Sequence, residues 1–315
     1  MTTTIGVGID VSKDKLDVAL HTGEVLGTIA QDAEAMEQLA TTLKSIAPHR
    51  VVVEATGGYE RPLLAVLHAE GLPVVLIEPA RARYFARSRG RRAKTDAIDA
   101  HLLAVMAAGE VDDEELWTPK EPALAELTEM VIRRQQIVQQ IGDEQRRQKQ
   151  LPEGHAKRSV RRTLDFLSGE KKRLEKDINE QIKGHEDLKQ TSAVLESVKG
   201  VGRTTAAVMM SLMPELGDLD RRSVAALFGV APYTCESGQF RGAQRVQGGR
   251  RRPRQLLYMA TVVAIRHNAV IRAHYAHLLA KGKKKKVAIV ACMRKMAIHL
   301  NSLMRQHRQR LEQAA

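Results

Sequence analysis

Aromatic residues are scarce: four Phe, five Tyr and one Trp make up 3% of 315 residues. A protein that holds single strands by stacking bases on rings needs more of them, so that class is disfavoured. The cores must be built from Leu, Val, Ile, Ala and Met. Cysteine is nearly absent too. Cys235 and Cys292 have no metal-ligand spacing and read as reduced thiols rather than a disulfide framework. Residues 1–8 lack a charged leader, and no stretch reads as long enough in apolar residues to span a bilayer. The expectation is a soluble cytoplasmic protein with no membrane partner.

What the chain has in excess is positive charge, +13 net. A surface this basic points to a polyanion, and nucleic acid first. Hydrophobic residues at 43% suffice for about two cores. Short apolar runs at 5–11, 16–20 and 25–30 predict a three-stranded meander. Helical periodicity follows at 33–46, a strand at 51–53, a helix at 62–70 and a strand at 73–77. Strands alternating with helices imply an α/β layer, and the strand-rich start suits an RNase H-like sheet.

An acidic stretch at 111–115, followed by Pro119 and Pro122, marks a boundary, and beyond it strand signals stop. Residues 123–150 read as a long helix. A Leu-Pro-Glu-Gly break at 151–154 and a heptad-like stripe (Val160, Leu164, Leu167, Leu174, Ile178, Leu188) then predict an antiparallel coiled-coil hairpin. From Thr191 the chain reads as helical. Val198-Lys199-Gly200-Val201-Gly202 resembles a helix–hairpin–helix turn, whose following helix offers free N–H groups to a phosphate. The expected division is residues 1–115, a helical linker at 116–190 and a helical domain at 191–315.

Four acids carry the chemistry. Asp10 ends the first strand in Gly-Ile-Asp-Val-Ser-Lys, and Glu54 ends Val51-Val52-Val53. If those strands are neighbours, both carboxylates emerge at one edge. Asp96 and Asp99, three apart in Lys-Thr-Asp-Ala-Ile-Asp-Ala, share a helix face, with Thr95 as N-cap. Together the four repel unless a divalent cation resolves the charge. Hard oxygen donors favour Mg²⁺, with Mn²⁺ the other option, suited to phosphodiester transfer. The stretch 81–94 leads into them with Arg87, Arg89, Arg91, Arg92 and Lys94 and no acid, which a phosphodiester substrate needs.

Farther on, Glu236-Ser237-Gly238 precedes Arg241, Arg245, Arg250, Arg251 and Arg252 among several glycines. A serine so placed could attack phosphorus and hold the strand as a phosphoserine, with arginines balancing the developing charge. Ser-Gly is also a common turn pair. No histidine adjoins it as a base, so the metal site would have to assist, which requires the two domains to meet within or between chains.

In these motifs, and in Leu-Phe-Gly-Val-Ala-Pro…Ser-Gly near residue 230, the chain resembles the DEDD insertion-sequence transposases, the family of Piv-like invertases and bridge-RNA-guided recombinases. The resemblance spans nearly the whole chain. It implies a RuvC-like N-terminal domain holding Mg²⁺ through Asp10, Glu54, Asp96 and Asp99. It also implies Ser237 as nucleophile in the C-terminal transposase domain, double-stranded DNA as substrate, and a structured noncoding RNA that pairs with donor and target. Homodimers or homotetramers with composite active sites and a place on the nucleoid follow from it. The competing readings are a RuvC-like nuclease or Holliday-junction resolvase acting by hydrolysis, an actin-like phosphotransferase, and a non-catalytic nucleic-acid-binding protein.

Overall fold

The computed structural model describes residues 4–90, 96–109, 111, 116–234, 236–237, 240–241 and 245–314, and at 96, 97, 236, 237, 240, 241 and 314 the backbone alone. The chain divides into two compact units, Met1–Pro119 and Lys120–Ala315.

The first unit is a five-stranded sheet between helices. Gly6–Val11 (β1), Lys15–Leu20 (β2) and Val25–Ala30 (β3) form an antiparallel meander, while Arg50–Glu54 (β4) and Val74–Ile77 (β5) run parallel to β1, in the order β3-β2-β1-β4-β5. β-Branched and Leu residues dominate these runs because they fit a pleated, two-sided buried surface. One face carries Val7, Ile9, Leu16, Val18, Val51 and Val53 and is closed by Ala33–Ile46 (α1) and Arg61–Ala69 (α2). Asp32 caps α1, its Oδ1 accepting from the Ala35 N–H at 2.9 Å, which sets the start of a helix with a clear apolar stripe at Met36, Leu39, Ala40 and Leu43.

The opposite face, at Val52, Val75 and Ile77, is closed by Asp96–Gly109 (α4), with Phe85 of Pro79–Ser88 (α3) against its margin. Residues 116 and 117 return to the sheet edge, the Trp117 N–H donating to Val74 O at 2.7 Å. α3 was read only as a basic strip. It is a helix with no fully buried residue; only Ala82 and Phe85 meet the core, a stripe too short to stand out among its arginines.

The second unit is helical, with a β-ribbon set into it. Pro122–Gln150 (α5) and His155–Gly184 (α6) lie antiparallel: Gln181 Nε2 donates to Ala123 O at 3.2 Å, and Arg134 Nε to Glu175 Oε1 at 2.9 Å. Glu186–Glu196 (α7), Arg203–Leu212 (α8), Arg221–Leu227 (α9), Arg251–His267 (α10), Ala269–Ala280 (α11) and Lys285–Ala314 (α12) surround a core rich in Met and centred on Phe228. Gly200 (φ 110°) sits where a Cβ would lie 2.4 Å from Ala260 O, so the turn before α8 is a glycine because α10 presses on it.

One expectation is corrected here. By length and composition, Lys285–Gln313 holds an 18-residue window apolar enough to cross a membrane, with mean hydropathy 1.3 over that window. One side of it is core: Cys292, Met296, Ala297 and Leu300 are almost fully enclosed by the neighbouring helices, while Val287 is exposed.

Between α9 and α10, Pro232–Tyr233 (β6) pairs with Arg245–Val246 (β9), and Glu236–Ser237 (β7) with Phe240–Arg241 (β8). The sequence reading expected no strands here. Two-residue strands are too short for periodicity to register.

Candidate active site

The acidic site is built by register. β1 and β4 pair as Gly8↔Val52 and Ile9↔Val53. One further step sets Asp10 beside Glu54, at the carboxyl edge of both strands and on one face of the sheet. α4 lies on that face in unusually close contact. A Cβ on Gly6 would come within 2.5 Å of Ala104 O, and one on Gly8 within 2.1 Å of Ala100 O and 2.2 Å of Ala104 N. Two strand residues thus match four helix residues, about 6.6 Å of strand against about 6 Å of helix. Another such step brings the first turn of α4, which begins at Asp96 and contains Asp99, to the level of Asp10. That end of a helix carries partial positive charge and favours acids.

Asp10, Glu54 and Asp99 are half-buried. Thr95, Arg91, Arg92, Lys94 and the Asp96 side chain lie outside the described residues. Among the described residues, no three acidic, His or Cys side chains form a group that could hold a metal ion. The donor set itself is all carboxylate oxygen, which fits a hard divalent cation.

Two neighbours of this edge escaped the sequence reading. Asp17 is the cross-strand partner of Asp10 and is 8% exposed. Thr28 Oγ1 donates to its Oδ1 at 2.5 Å, and Lys15 Nζ stands 3.1 Å from Oδ2. Its signal was an acid inside an otherwise apolar strand, Leu-Asp-Val-Ala-Leu. Glu60, 6% exposed, ties the loop that follows Glu54: its Oε2 accepts from Thr56 N at 3.0 Å, Thr56 Oγ1 at 3.0 Å and Gly58 N at 2.9 Å. Burial pushes this carboxyl up, but the hydrogen bonds from the Glu60, Gly58 and Thr56 amides and the Thr56 hydroxyl outweigh it and hold the group below its ordinary value. Glycines at 57 and 58, with φ of 81° and 123°, permit the turn around it.

The cations fall into two kinds. Arg87, Arg89, Arg245, Arg251 and Arg252 are exposed, and Arg89 lies over the Phe85 ring at 5.1 Å. Arg250 is engaged internally: Nη1 donates to Glu215 Oε2 at 2.7 Å and to Leu212 O at 2.9 Å, and Nη2 to Glu215 Oε1 at 2.6 Å. Burial raises the Glu215 carboxyl, but hydrogen bonding and charge from Arg250, with Lys120 behind them, leave it below its ordinary value.

Ser237 occupies the last paired position of its strand, opposite Phe240. Its side chain and that of Arg241 lie outside the described residues, as do Cys235 and Gly238. Beside the α8 N-terminus, a cavity of about 260 Å³ is lined by Arg134, Glu175, Asn179, Arg203 and Thr204 over an apolar floor, where the phosphate-binding turn was expected.

Two family models match most of the chain between them. A family model described as a transposase, of the DEDD type found in IS110 elements, matches residues 7–154. A second, described as the transposase of the IS116/IS110/IS902 family, matches residues 192–276. The protein is therefore an enzyme that acts on DNA. Among its relatives are the pilin gene-inverting proteins of Moraxella lacunata and Moraxella bovis, each 26% identical over 318 residues that cover 96% of both chains. The chain belongs to the IS110 family of transposases.

Proposed function

We propose that this transposase cuts and rejoins double-stranded DNA through a metal site of Asp10, Glu54, Asp96 and Asp99 and a covalent link to Ser237. The observation that carries the metal site is the pair of registers, β4 on β1 and α4 on Gly6 and Gly8, which leads all four positions to one edge of the sheet. A meander of three antiparallel strands followed by two parallel ones, with this edge acidic, supports an RNase H-like, RuvC-like reading of the first unit. Mg²⁺ or Mn²⁺ held there would neutralise the four acids and stabilise charge on the phosphodiester.

The chain's own groups do the rest. The Ser237 hydroxyl gives up its proton as Oγ bonds to phosphorus. The P–O bond to the DNA sugar breaks, and the leaving sugar oxygen gains a proton. The phosphoserine keeps the diester count constant, so a second sugar hydroxyl can reverse the step on another strand without ATP. Exposed Arg245, Arg251 and Arg252 supply cations for the phosphates, and Arg87 and Arg89 serve the metal-bearing unit in the same way.

We further propose domains at 1–115, 116–190 and 191–315, with α5 and α6 as a coiled-coil spacer. The enzyme would act as a homodimer or homotetramer on the nucleoid, in the cytoplasm, guided by a structured noncoding RNA. The names of the Moraxella relatives support inversion as a reaction within reach of the same chemistry.

The test uses protein purified with its bound nucleic acid and DNA bearing the element's own ends. Wild type should form a denaturant-resistant protein–DNA adduct. Ser237→Ala should abolish the adduct and strand exchange, and Asp10→Asn or Glu54→Gln should each lower exchange by about 10³-fold or more. Ser237→Ala that still exchanges strands would end the covalent reading; cutting without exchange would leave a hydrolase.

A further inference from the structure

The ribbon that carries Ser237 is a lever with a defined footing. Its pairs run Pro232↔Val246 and Tyr233↔Arg245, then Glu236↔Arg241 and Ser237↔Phe240. A two-stranded ribbon is marginal alone, and Tyr233 and Val246 are each 40% exposed, so core burial does not hold it. It is held at the base. There two glycines cross in contact: a Cβ on Gly249 would lie 2.1 Å from Gly229 N, and one on Gly229 would lie 2.2 Å from Gly248 O. Both have left-handed φ, 64° at Gly229 and 71° at Gly249.

Arg250 follows at once. Its N–H donates to Leu227 O at 2.8 Å, and its guanidinium reaches both oxygens of Glu215 and the Leu212 carbonyl. Glu215 in turn belongs to a loop fixed from α12. Asn301 accepts from the Gly217 N–H at 2.8 Å and donates to Leu219 O at 2.7 Å, while Arg305 Nε donates to Gly217 O at 2.9 Å.

We infer that the Glu215–Arg250 pair anchors the ribbon and sets the position of Ser237, so that Arg250 is a positioning residue rather than a nucleic-acid contact. The inference rests on the covalent role proposed for Ser237. Ser237 lies eight positions after Gly229, so the chain can carry it at most about 25 Å from the footing. A tilt of about 5° at the footing moves such a tip by about 2 Å, and a misplacement of about 1 Å can cost a hundredfold in rate. A bidentate arginine–carboxylate fork resists that tilt because its two bonds fix direction as well as distance.

The test compares full-length Glu215→Ala and Glu215→Gln with wild type, each carrying its copurified nucleic acid, on DNA with the element's own ends. Three quantities are read: amide exchange at Tyr233, Arg245 and Arg250, with Leu300 as the reference; double-stranded DNA affinity; and the rate of adduct formation. In Glu215→Ala, exchange at the three ribbon amides should rise and the adduct rate should fall ten- to a hundredfold, with DNA affinity within about twofold. Glu215→Gln keeps an acceptor for Arg250, so it should recover part of the rate. Unchanged ribbon exchange overturns the inference, and so does a wild-type adduct rate or a rate loss matched by lost DNA affinity. If Glu215→Ala fails to fold, Glu215→Gln carries the same criteria. If wild type forms no adduct, the serine reading falls and the positioning of catalysis with it, while the exchange data still decide whether Glu215 anchors the ribbon.

Discussion

Gly8 shows how one hydrogen in place of a methyl group can set the geometry of a site. α4 rests on the backbone of β1 at that residue, so Gly8→Ala must push the helix off the sheet by an ångström or more. We expect a loss of about 1–3 kcal/mol, seen as a lower melting temperature, together with weakened activity, since Asp96 and Asp99 ride on the displaced helix. An unchanged melting temperature would show that the contact is not tight. Nothing local in Gly-Val-Gly-Ile-Asp announces this role, because the constraint comes from a helix almost a hundred residues away.

Glu60 is the second case at this scale. Its folded carboxyl lies below its ordinary value, so its contribution to stability is present above the unfolded value, near 4.3, and is lost as pH falls through the folded one. Glu60→Gln should cost about 1–3 kcal/mol at neutral pH and flatten the acid side of a plot of melting temperature against pH below about 4.5. An acid limb identical to wild type would mean that the loop after Glu54 does not depend on this charge.

At the scale of elements, what was legible followed from burial. β1 to β5 and α1 stand where alternation and helical period put them, because each hides one or both faces in a core. The edge that Asp10 and Glu54 share was legible as soon as their strands were taken as neighbours. α3 was not, since only Ala82 and Phe85 pack on the core and arginines dominate the rest. The ribbon was not, since two-residue strands carry no pattern. Arg250 read as one more cation in a basic tract, because its partner Glu215 lies 35 residues back and no local signal links them. The α5–α6 hairpin carries a cross-helix ion pair that can be tested singly. Arg134, partly buried, meets Glu175 across it, and Arg134→Ala should cost about 1–3 kcal/mol, measured in denaturant melts. No loss would show that the apolar contacts and the Gln181–Ala123 hydrogen bond hold the two helices in register without this pair.

On the scale of the whole molecule, a net charge of +13 makes binding to DNA a salt-dependent quantity. Each phosphate contact adds about 0.9 to the slope of log affinity against log salt. Arg251→Gln with Arg252→Gln should therefore reduce that slope by about two. Arg250→Gln should leave the slope unchanged while slowing adduct formation, and an equal fall in slope would class Arg250 with its neighbours.

The hold of α12 on the loop at 214–220 has a consequence for deletions. Asn301, Arg305 and Arg308 reach that loop from the second half of the final helix. A protein shortened to residue 300 loses those three side chains and leaves the Glu215 carboxylate on an untethered segment. Such a truncation would strike catalysis through the scaffold: removing the tail would let the serine-bearing arm swing.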